Sequence, residues 1–362
     1  MKKEKRIDAA LLFIIILIFG LVLLNVIKKK NGVDTYSGAT PVALERKAPE
    51  GLSLTIDGKV KQTYRFTGES FQRMANIRIR TPEVSPGGEI LGAYIYTGIP
   101  VLYIMEGIVA EKKESDVFDR PLDMVVIFTS YSGKTSCFSY GELTTANDSL
   151  PIILAYHREP ILPSKDPGKY DRNKYPENIT GLRLVCPREP DTARYLDNVV
   201  RMTFKRPATP DELLPPMQKN KKCSSNSVEC VEGQNKWPAS FEDVPVKEIS
   251  GWFRIGHGRG IKGDSRYTAS GYHLSTFLKR NFPGCTAGDF FIFVACDGYR
   301  SIFSGSEMFR TSAGDSFLLL KTLNGEPPKD GITVGAIGDF FVDRCVRGLT
   351  HIVRVKPAGS QF

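Results

Sequence analysis

The hydrophobic pattern at the start of the chain predicts a membrane-spanning helix. Residues 9–27 contain no charged side chain, and Asn25 is their only polar interruption. At about 1.5 Å of rise per residue, a helix of this length crosses nearly the whole hydrocarbon core. A cleaved signal peptide is the alternative, but the apolar stretch is long for one and no small-x-small cleavage site follows it. We therefore expect residues 1–30 to form a retained single-pass anchor.

Basic residues flank both ends of this segment, four before it and three after it. Because positive residues favour the cytoplasmic side, the small excess before the helix predicts that the remaining chain lies outside the cytoplasm, in a periplasm or at a cell surface. The same flanks account for +5 of the formal net charge of +9, which leaves an ordinary surface on the rest of the chain. We therefore expect the membrane, and no nucleic acid, as a partner.

The pattern beyond the anchor predicts two strand-rich regions. Residues 31–50 lack clear periodicity and are interpreted as a tether. Several β-branched or alternating apolar runs lie within residues 51–205, and similar runs return in residues 241–358. Residues 206–240 between them are rich in proline and lysine, which is typical of a linker.

The second region repeats the order of features in the first. An apolar, helix-like segment comes first in each, and residues 124–143 then align with residues 289–308 at a fixed offset of 165 residues. Identical positions in this alignment include Gly133 with Gly298, Phe138 with Phe303, Ser139 with Ser304, and Glu142 with Glu307. Each region is long enough for its own core, so we expect two related domains in tandem.

Three short segments carry a resemblance to a known family: LRLVCP (182–187), CDGY (296–299) and LNGEP (323–327). With the order of strands around them, they resemble the molybdopterin-binding oxidoreductase domain of the sulfite oxidase family. The resemblance implies an α+β fold with mixed β-sheets in two tandem sulfite-oxidase-like domains. Asp-Gly and Asn-Gly in these segments also have a simple structural explanation, since both pairs favour tight turns.

The cysteines depart from the pattern of that family. The resemblance implies a cysteine thiolate that binds molybdenum, a metal that needs sulfur ligands, in the loop before a W-x-G-V element. Neither corresponding stretch, residues 77–97 or 252–270, contains a cysteine. The seven cysteines lie elsewhere, with no C-x-x-C pair and no histidine spaced for zinc, so we interpret them mainly as small buried hydrophobes and predict no metal site. Cys223 and Cys230 flank six residues and are either a small disulfide loop or two free thiols.

A glycine-rich segment is the best candidate for anion binding. Its glycines expose backbone N–H groups beside two cations and an imidazole, so a phosphate or the pterin pyrophosphate fits the chemistry of Gly256, His257, Gly258, Arg259 and Lys262. A solvated glycine-rich loop is the alternative. Arg78 and Arg80 lie two residues apart on one face of a predicted strand and form a weaker candidate, with two solvent-facing arginines as the default.

Two functions remain open from the sequence. The missing thiolate favours a non-catalytic descendant of the fold that serves as an extracytoplasmic binding or assembly module. The alternative is a molybdopterin-dependent oxidoreductase of the sulfite oxidase class that works with a membrane-bound redox partner. Hydrolase chemistry is unsupported, because no nucleophile has a base at a recognisable spacing. The sequence alone does not decide whether the chain is an enzyme.

Overall fold

A computed structural model describes residues 39–41, 48–111, 118–147, 150–162, 179–207, 209, 213–218, 221, 224–256 and 266–356. The predicted anchor at residues 9–27 lies outside these residues. Within the described ranges, no helix has the length and apolar character needed to cross a membrane. The chain from Ala39 to Phe362 forms one compact unit.

Short helices and many strands make this unit a mixed α+β structure, which confirms the predicted class. The elements of the first half, up to residue 205, are listed here. They are β1 Ala39–Pro41, β2 Ser53–Gly58, β3 Tyr64–Thr67, α1 Gly68–Gln72, β4 Ile77–Val84, β5 Ile90–Pro100, α2 Val101–Glu106, a 3-10 turn Pro121–Asp123, β6 Val125–Ser130, β7 Thr135–Ser139, α3 Tyr140–Thr144, β8 Ile153–Pro160, β9 Leu182–Val185 and β10 Leu196–Lys205.

The second half has a similar series of elements. They are β11 Glu229–Glu232, β12 Asn235–Pro238, β13 Val246–Phe253, β14 Arg266–His273, α4 Leu274–Asn281, β15 Phe290–Ala295, β16 Arg300–Ser304, α5 Gly305–Phe309, a 3-10 turn Ser312–Ser316, β17 Phe317–Leu323, β18 Thr333–Ala336, a 3-10 turn Val342–Arg344 and β19 Leu349–Val355. Strands β11 and β12 fall within residues 206–240, so the predicted linker contributes two strands to the second half.

The strand pairing of the two halves matches. In the first half β10 runs parallel to β2 and antiparallel to β6, which pairs with β7. In the second half β19 runs parallel to β11 and antiparallel to β15, which pairs with β16. The ladder β4-β5-β8 corresponds to β13-β14-β17, and a helix follows β5 and β14 alike. The repeat seen in the sequence is therefore also a repeat of topology.

Two differences separate the halves. Strand β9 pairs with β10 and joins the first half into one ten-stranded sheet, whereas the second half has separate sheets of five and four strands. Strand β1 pairs with the outer edge of β4, whereas the described residues place no strand on the outer edge of β13.

Apolar residues of β6 and β15 bring the two halves together. Val125 and Ile127 share one buried cluster with Phe290 and Ile292. All six residues of β15 are buried, as expected for a strand that is covered on both faces. Burial of this shared surface explains why the described residues do not separate into two independent bodies.

Candidate functional site

The structure describes three of the sequence-predicted site residues and separates them. Arg78 and Arg80 share one face of β4, as predicted, but Arg78 Nη2 donates to Glu159 Oε2 at 3.0 Å while Arg80 is exposed. Gly256 follows Ile255, which forms an isolated bridge with Phe341, a residue between β18 and β19 that is far in sequence from β4. His257, Gly258, Arg259 and Lys262 lie outside the described residues. The described candidates therefore do not form one anion site.

Of the two alternatives for Cys223 and Cys230, the structure excludes the disulfide, because the thiol of Cys230 is free. That thiol is free and fully buried in β11, between β12 and β19. Its side chain packs into the core of the second half, where it behaves as a small hydrophobe. Cys296 is the disulfide-bonded cysteine among the described residues, and Cys223 lies outside them.

The described thiols do not fit a molybdenum ligand. Burial raises the pKa of Cys137 and of Cys345 to about 11 and that of Cys230 to about 12. Burial likewise raises the pKa of Cys186 and Cys285. In the absence of a metal, burial outweighs the neighbouring arginines and lysines and favours the neutral thiol.

Cys186 has Arg194 and Arg188 among its charged neighbours, and it lines none of the described cavities. Its Sγ lies 3.9 Å from the carbonyl oxygen of Arg194, and the residue is 1 % exposed. Four cavities are described, and none of them is lined by a cysteine. In the described part of the chain, no three His, Cys, Asp or Glu side chains are arranged to hold a metal ion.

The most elaborate polar site of the described residues lies between the two halves. Ser139 begins α3, accepts the N–H of Glu142 at 3.1 Å and donates its own hydroxyl to Glu307 Oε1 at 3.1 Å. Ser304 begins α5, accepts the N–H of Glu307 at 3.0 Å and donates to Glu142 Oε2 at 2.9 Å. Each helix cap therefore holds the carboxylate of the opposite half.

An arginine completes this arrangement in the first half. Arg194 precedes β10 and lies over the ring of Phe138, with its guanidinium carbon 4.1 Å from the ring centroid. It donates from Nη1 to Glu142 Oε2 at 3.1 Å and from Nη2 to Glu142 Oε1 at 2.5 Å. This is a bidentate pair, the strongest geometry available to a carboxylate and a guanidinium.

Arg344 takes the corresponding position in the second half. It precedes β19 and lies over Phe303, 4.6 Å from the ring centroid. Its Nη1 donates to Glu307 Oε2 at 2.6 Å, but Nε and Nη2 both donate to Asp339, at 2.7 and 2.6 Å. We call Ser139, Glu142, Arg194, Ser304, Glu307 and Arg344 the interface cluster.

The two carboxyl groups of the interface cluster titrate differently. Burial raises the pKa of Glu307 to about 7, and the Glu142 charge adds to this effect while Arg344 opposes it. Burial acts on Glu142 in the same direction, but the charge and hydrogen bonds of Arg194 outweigh it and lower the pKa below its ordinary value. Each arginine is shared with a second carboxylate, but Arg194 gives two hydrogen bonds to Glu142 and one to Glu189, whereas Arg344 gives one to Glu307 and two to Asp339, which accounts for the contrast.

The interface cluster is built to join the halves and offers little room for a substrate. Thr145 of the first half also donates to Asp339 Oδ2 at 3.1 Å, which adds a further bond across the interface. The one described cavity that reaches a member of the cluster has a volume of about 60 Å³ and is lined by Glu142 and Arg188. The larger cavities, of about 330 to 400 Å³, contain no member of it.

The internal alignment of the sequence identified the two serines and two glutamates of this cluster without a role, and it did not identify Arg194 or Arg344. The Ser-x-x-Glu pattern of residues 139–142 and 304–307 is the pattern of a capping box, and both copies align at the 165-residue offset. That signal predicts two helix starts. It does not predict that each serine binds the glutamate of the opposite half, because that contact depends on how the two halves pack.

Comparisons with known proteins add little to this picture. No protein-family model matches the chain, and no curated protein matches it. Among solved structures, the chain is similar to the sulfane dehydrogenase SoxCD from Paracoccus pantotrophus, with 12 % identity and a TM-score of 0.32. The match covers 88 % of this chain and 80 % of that one. A similarity at this level is too weak for an argument about function.

Proposed function

We propose that this chain is a membrane-anchored, extracytoplasmic binding or assembly module without catalytic activity of its own. Its two halves are, in this proposal, diverged copies of a sulfite-oxidase-like unit. The observation that carries the proposal is the state of the thiols. Among the described residues, Cys296 is disulfide-bonded and no other cysteine lines a described cavity, and neither residues 77–97 nor residues 252–270 contain a cysteine, which supports a chain without a thiol ligand for molybdenum.

The interface cluster supports a structural role for the repeat. Its arginines and glutamates pair within each half, and its two serines bind the glutamate of the opposite half. Buried charges that are fully paired hold one arrangement of the surrounding chain, because any other arrangement leaves a charge unpaired. A rigid double unit of this kind presents a fixed surface to a partner protein at the membrane.

Metal and pterin analysis tests the proposal. The full chain is purified in detergent from a host that makes molybdopterin, and molybdenum is measured by mass spectrometry with released pterin measured by fluorescence. We expect both well below one per chain, and a molybdenum enzyme purified in parallel from the same host controls for cofactor supply. Molybdenum and pterin at one per chain would show that the chain is an oxidoreductase of the sulfite oxidase class.

A second experiment tests the anchor, which lies outside the described residues. Membranes are extracted with alkaline carbonate, and intact cells or spheroplasts are treated with protease. We expect the full chain to remain in the membrane, a variant without residues 1–30 to be released, and the part after residue 40 to be cleaved from outside. Protection of that part in intact cells would contradict an extracytoplasmic location.

A further inference from the structure

The outer edge of β13 is the clearest unused surface of the described chain. An edge strand presents unpaired N–H and C=O groups that are a template for another strand. The corresponding edge in the first half, that of β4, is covered by β1 through pairs such as Ala39 with Ile79. Among the described residues nothing pairs with the outer edge of β13.

The described residues do not supply a covering strand for this edge in the way they do for β4. Strand β1 comes from the segment before β2, so the equivalent segment precedes β11. The described part of that segment is engaged elsewhere: Gln218 donates its N–H to Asp297 O at 2.6 Å, and Ser225 forms a bridge with Gly331. Within the described part of the chain, the edge of β13 therefore stays open to a strand from another molecule.

The outward face of β13 carries large apolar side chains at both ends. Val246 is 48 % exposed and Phe253 is 59 % exposed. A bulge at Gly251, with φ of +82°, shifts the alternation by one residue, so that Val246, Glu248, Ser250 and Phe253 all lie on the same face. Both exposed apolar residues therefore belong to one surface.

We propose that two copies of this chain associate by antiparallel pairing of their β13 edges, centred on Ile249. Gly251 is the extra residue of the bulge and is left out of the count. This register then places Val246 of each copy opposite Phe253 of the other. It places Glu248 opposite Ser250, so no like charges meet across the pair. The interface is isologous, as in most homodimers, and joins two four-stranded sheets into one.

The dimer is expected to be weak in dilute solution. One strand pair buries less than the roughly 1,600 Å² of a standard stable interface. Anchoring both copies in one membrane raises their effective concentration, which compensates for a small interface. This inference rests on the proposed role as an assembly module, and it names a second copy of the chain as the partner.

Charge substitutions at the two ends of β13 test the pairing with the full chain in detergent. The double variant Val246→Lys, Phe253→Lys and the double variant Val246→Glu, Phe253→Glu each place like charges opposite each other. We expect each alone to weaken self-association at least tenfold in analytical ultracentrifugation. Mixing the two should restore association, because each lysine then faces a glutamate of the other copy, and two affinity tags report this by co-purification.

The control is Tyr131→Lys, which changes a side chain that is 86 % exposed and remote in sequence from β13. It should leave association unchanged, and circular dichroism of every variant confirms folding. A monomeric wild-type chain at 100 µM, self-association that survives in both double variants, or no recovery on mixing would each overturn the proposal. The readout is oligomeric state, so it succeeds or fails independently of the molybdenum measurement.

Discussion

The two copies of the Ser-x-x-Glu motif have the same geometry and different electrostatics. In both, a serine caps a short helix, a glutamate three residues later is buried, and an arginine lies over the preceding phenylalanine. Nevertheless, the pKa of Glu142 is lowered and that of Glu307 is raised to about 7, with burial as the leading influence in each case. The contrast shows that equivalent residues of a repeat can diverge in charge without diverging in position.

The division of each arginine's hydrogen bonds accounts for this divergence. Asp339 takes two of the three N–H groups that Arg344 directs at carboxylates, whereas Arg194 directs two at Glu142 and one at Glu189. The carboxyl group that receives only one arginine hydrogen bond is the one that burial keeps partly protonated near neutral pH. Both arginines serve two acids, so the contrast follows from how many hydrogen bonds each glutamate receives.

Of the changes considered, removal of Arg344 should lower the free energy of unfolding most. Arg344→Met leaves both Glu307 and Asp339 buried without their cation, and a broken buried ion pair costs about 3–5 kcal/mol of unfolding free energy. Urea unfolding of the full chain in detergent measures this through tryptophan fluorescence, because Trp237 and Trp252 both lie in the second half. Arg347→Met is the matched control, since that side chain is 58 % exposed and its ion pair spans 3.9 Å. A loss equal to that of the control would contradict a structural role for the interface cluster.

A methyl group at Gly141 should cause a smaller loss of unfolding free energy. A Cβ at this position would lie 2.1 Å from Cδ of Arg344, so the arginine has to move away from its two carboxylates. Overpacking of this kind costs about 1–3 kcal/mol, and Gly141→Ala should lower the urea midpoint accordingly. Gly87→Ala is the control, because the nearest atom to its Cβ is 3.7 Å away. Equal stability of the two variants would place the contact between the halves elsewhere.

The pH dependence of two amide variants tests the electrostatic difference directly; a rise in the pKa of Glu307 from 4.5 to about 7 corresponds to at most about 3 kcal/mol, at about 1.4 kcal/mol per pKa unit. The folded chain holds a proton on Glu307 up to about pH 7, whereas the unfolded chain releases it near the ordinary pKa of a glutamate. This residue therefore stabilises the fold most at low pH, and its contribution is lost as the pH rises through 7. Glu307→Gln should consequently gain stability relative to the wild type between pH 5 and 8.

Glu142→Gln is the opposite test. The lowered pKa of Glu142 means that its ionised form stabilises the fold above the ordinary pKa and that this contribution is lost as the pH falls below it. Glu142→Gln should therefore be less stable than the wild type at neutral pH and approach it in acid. If both variants had the same dependence of stability on pH, this result would contradict an electrostatic difference between the two halves.

Much of the local structure was predictable from residue patterns. The tandem order of strands, the helix starts at Ser139 and Ser304, and the tight turns with positive φ at Gly298 and Asn324 all follow from short-range preferences. The free and buried state of the Cys230 thiol was not predictable in the same way. Its proximity in sequence to Cys223 suggested a disulfide, but its place between two strands buries it as a free thiol.

Alternation, capping residues and turn residues determine most strands and helices of this chain, because these signals act over a few positions. Strands β11 and β12 are the exception, since they lie in the segment predicted as a linker. The packing of the folded chain decides how Ser139 meets Glu307 and Ser304 meets Glu142, how Arg344 is shared with Asp339, and which sheet edge of the described residues stays open. The two serine–glutamate contacts join residues more than 150 positions apart along the chain. Local preferences carry no information about such contacts, because packing of the two halves brings the residues together.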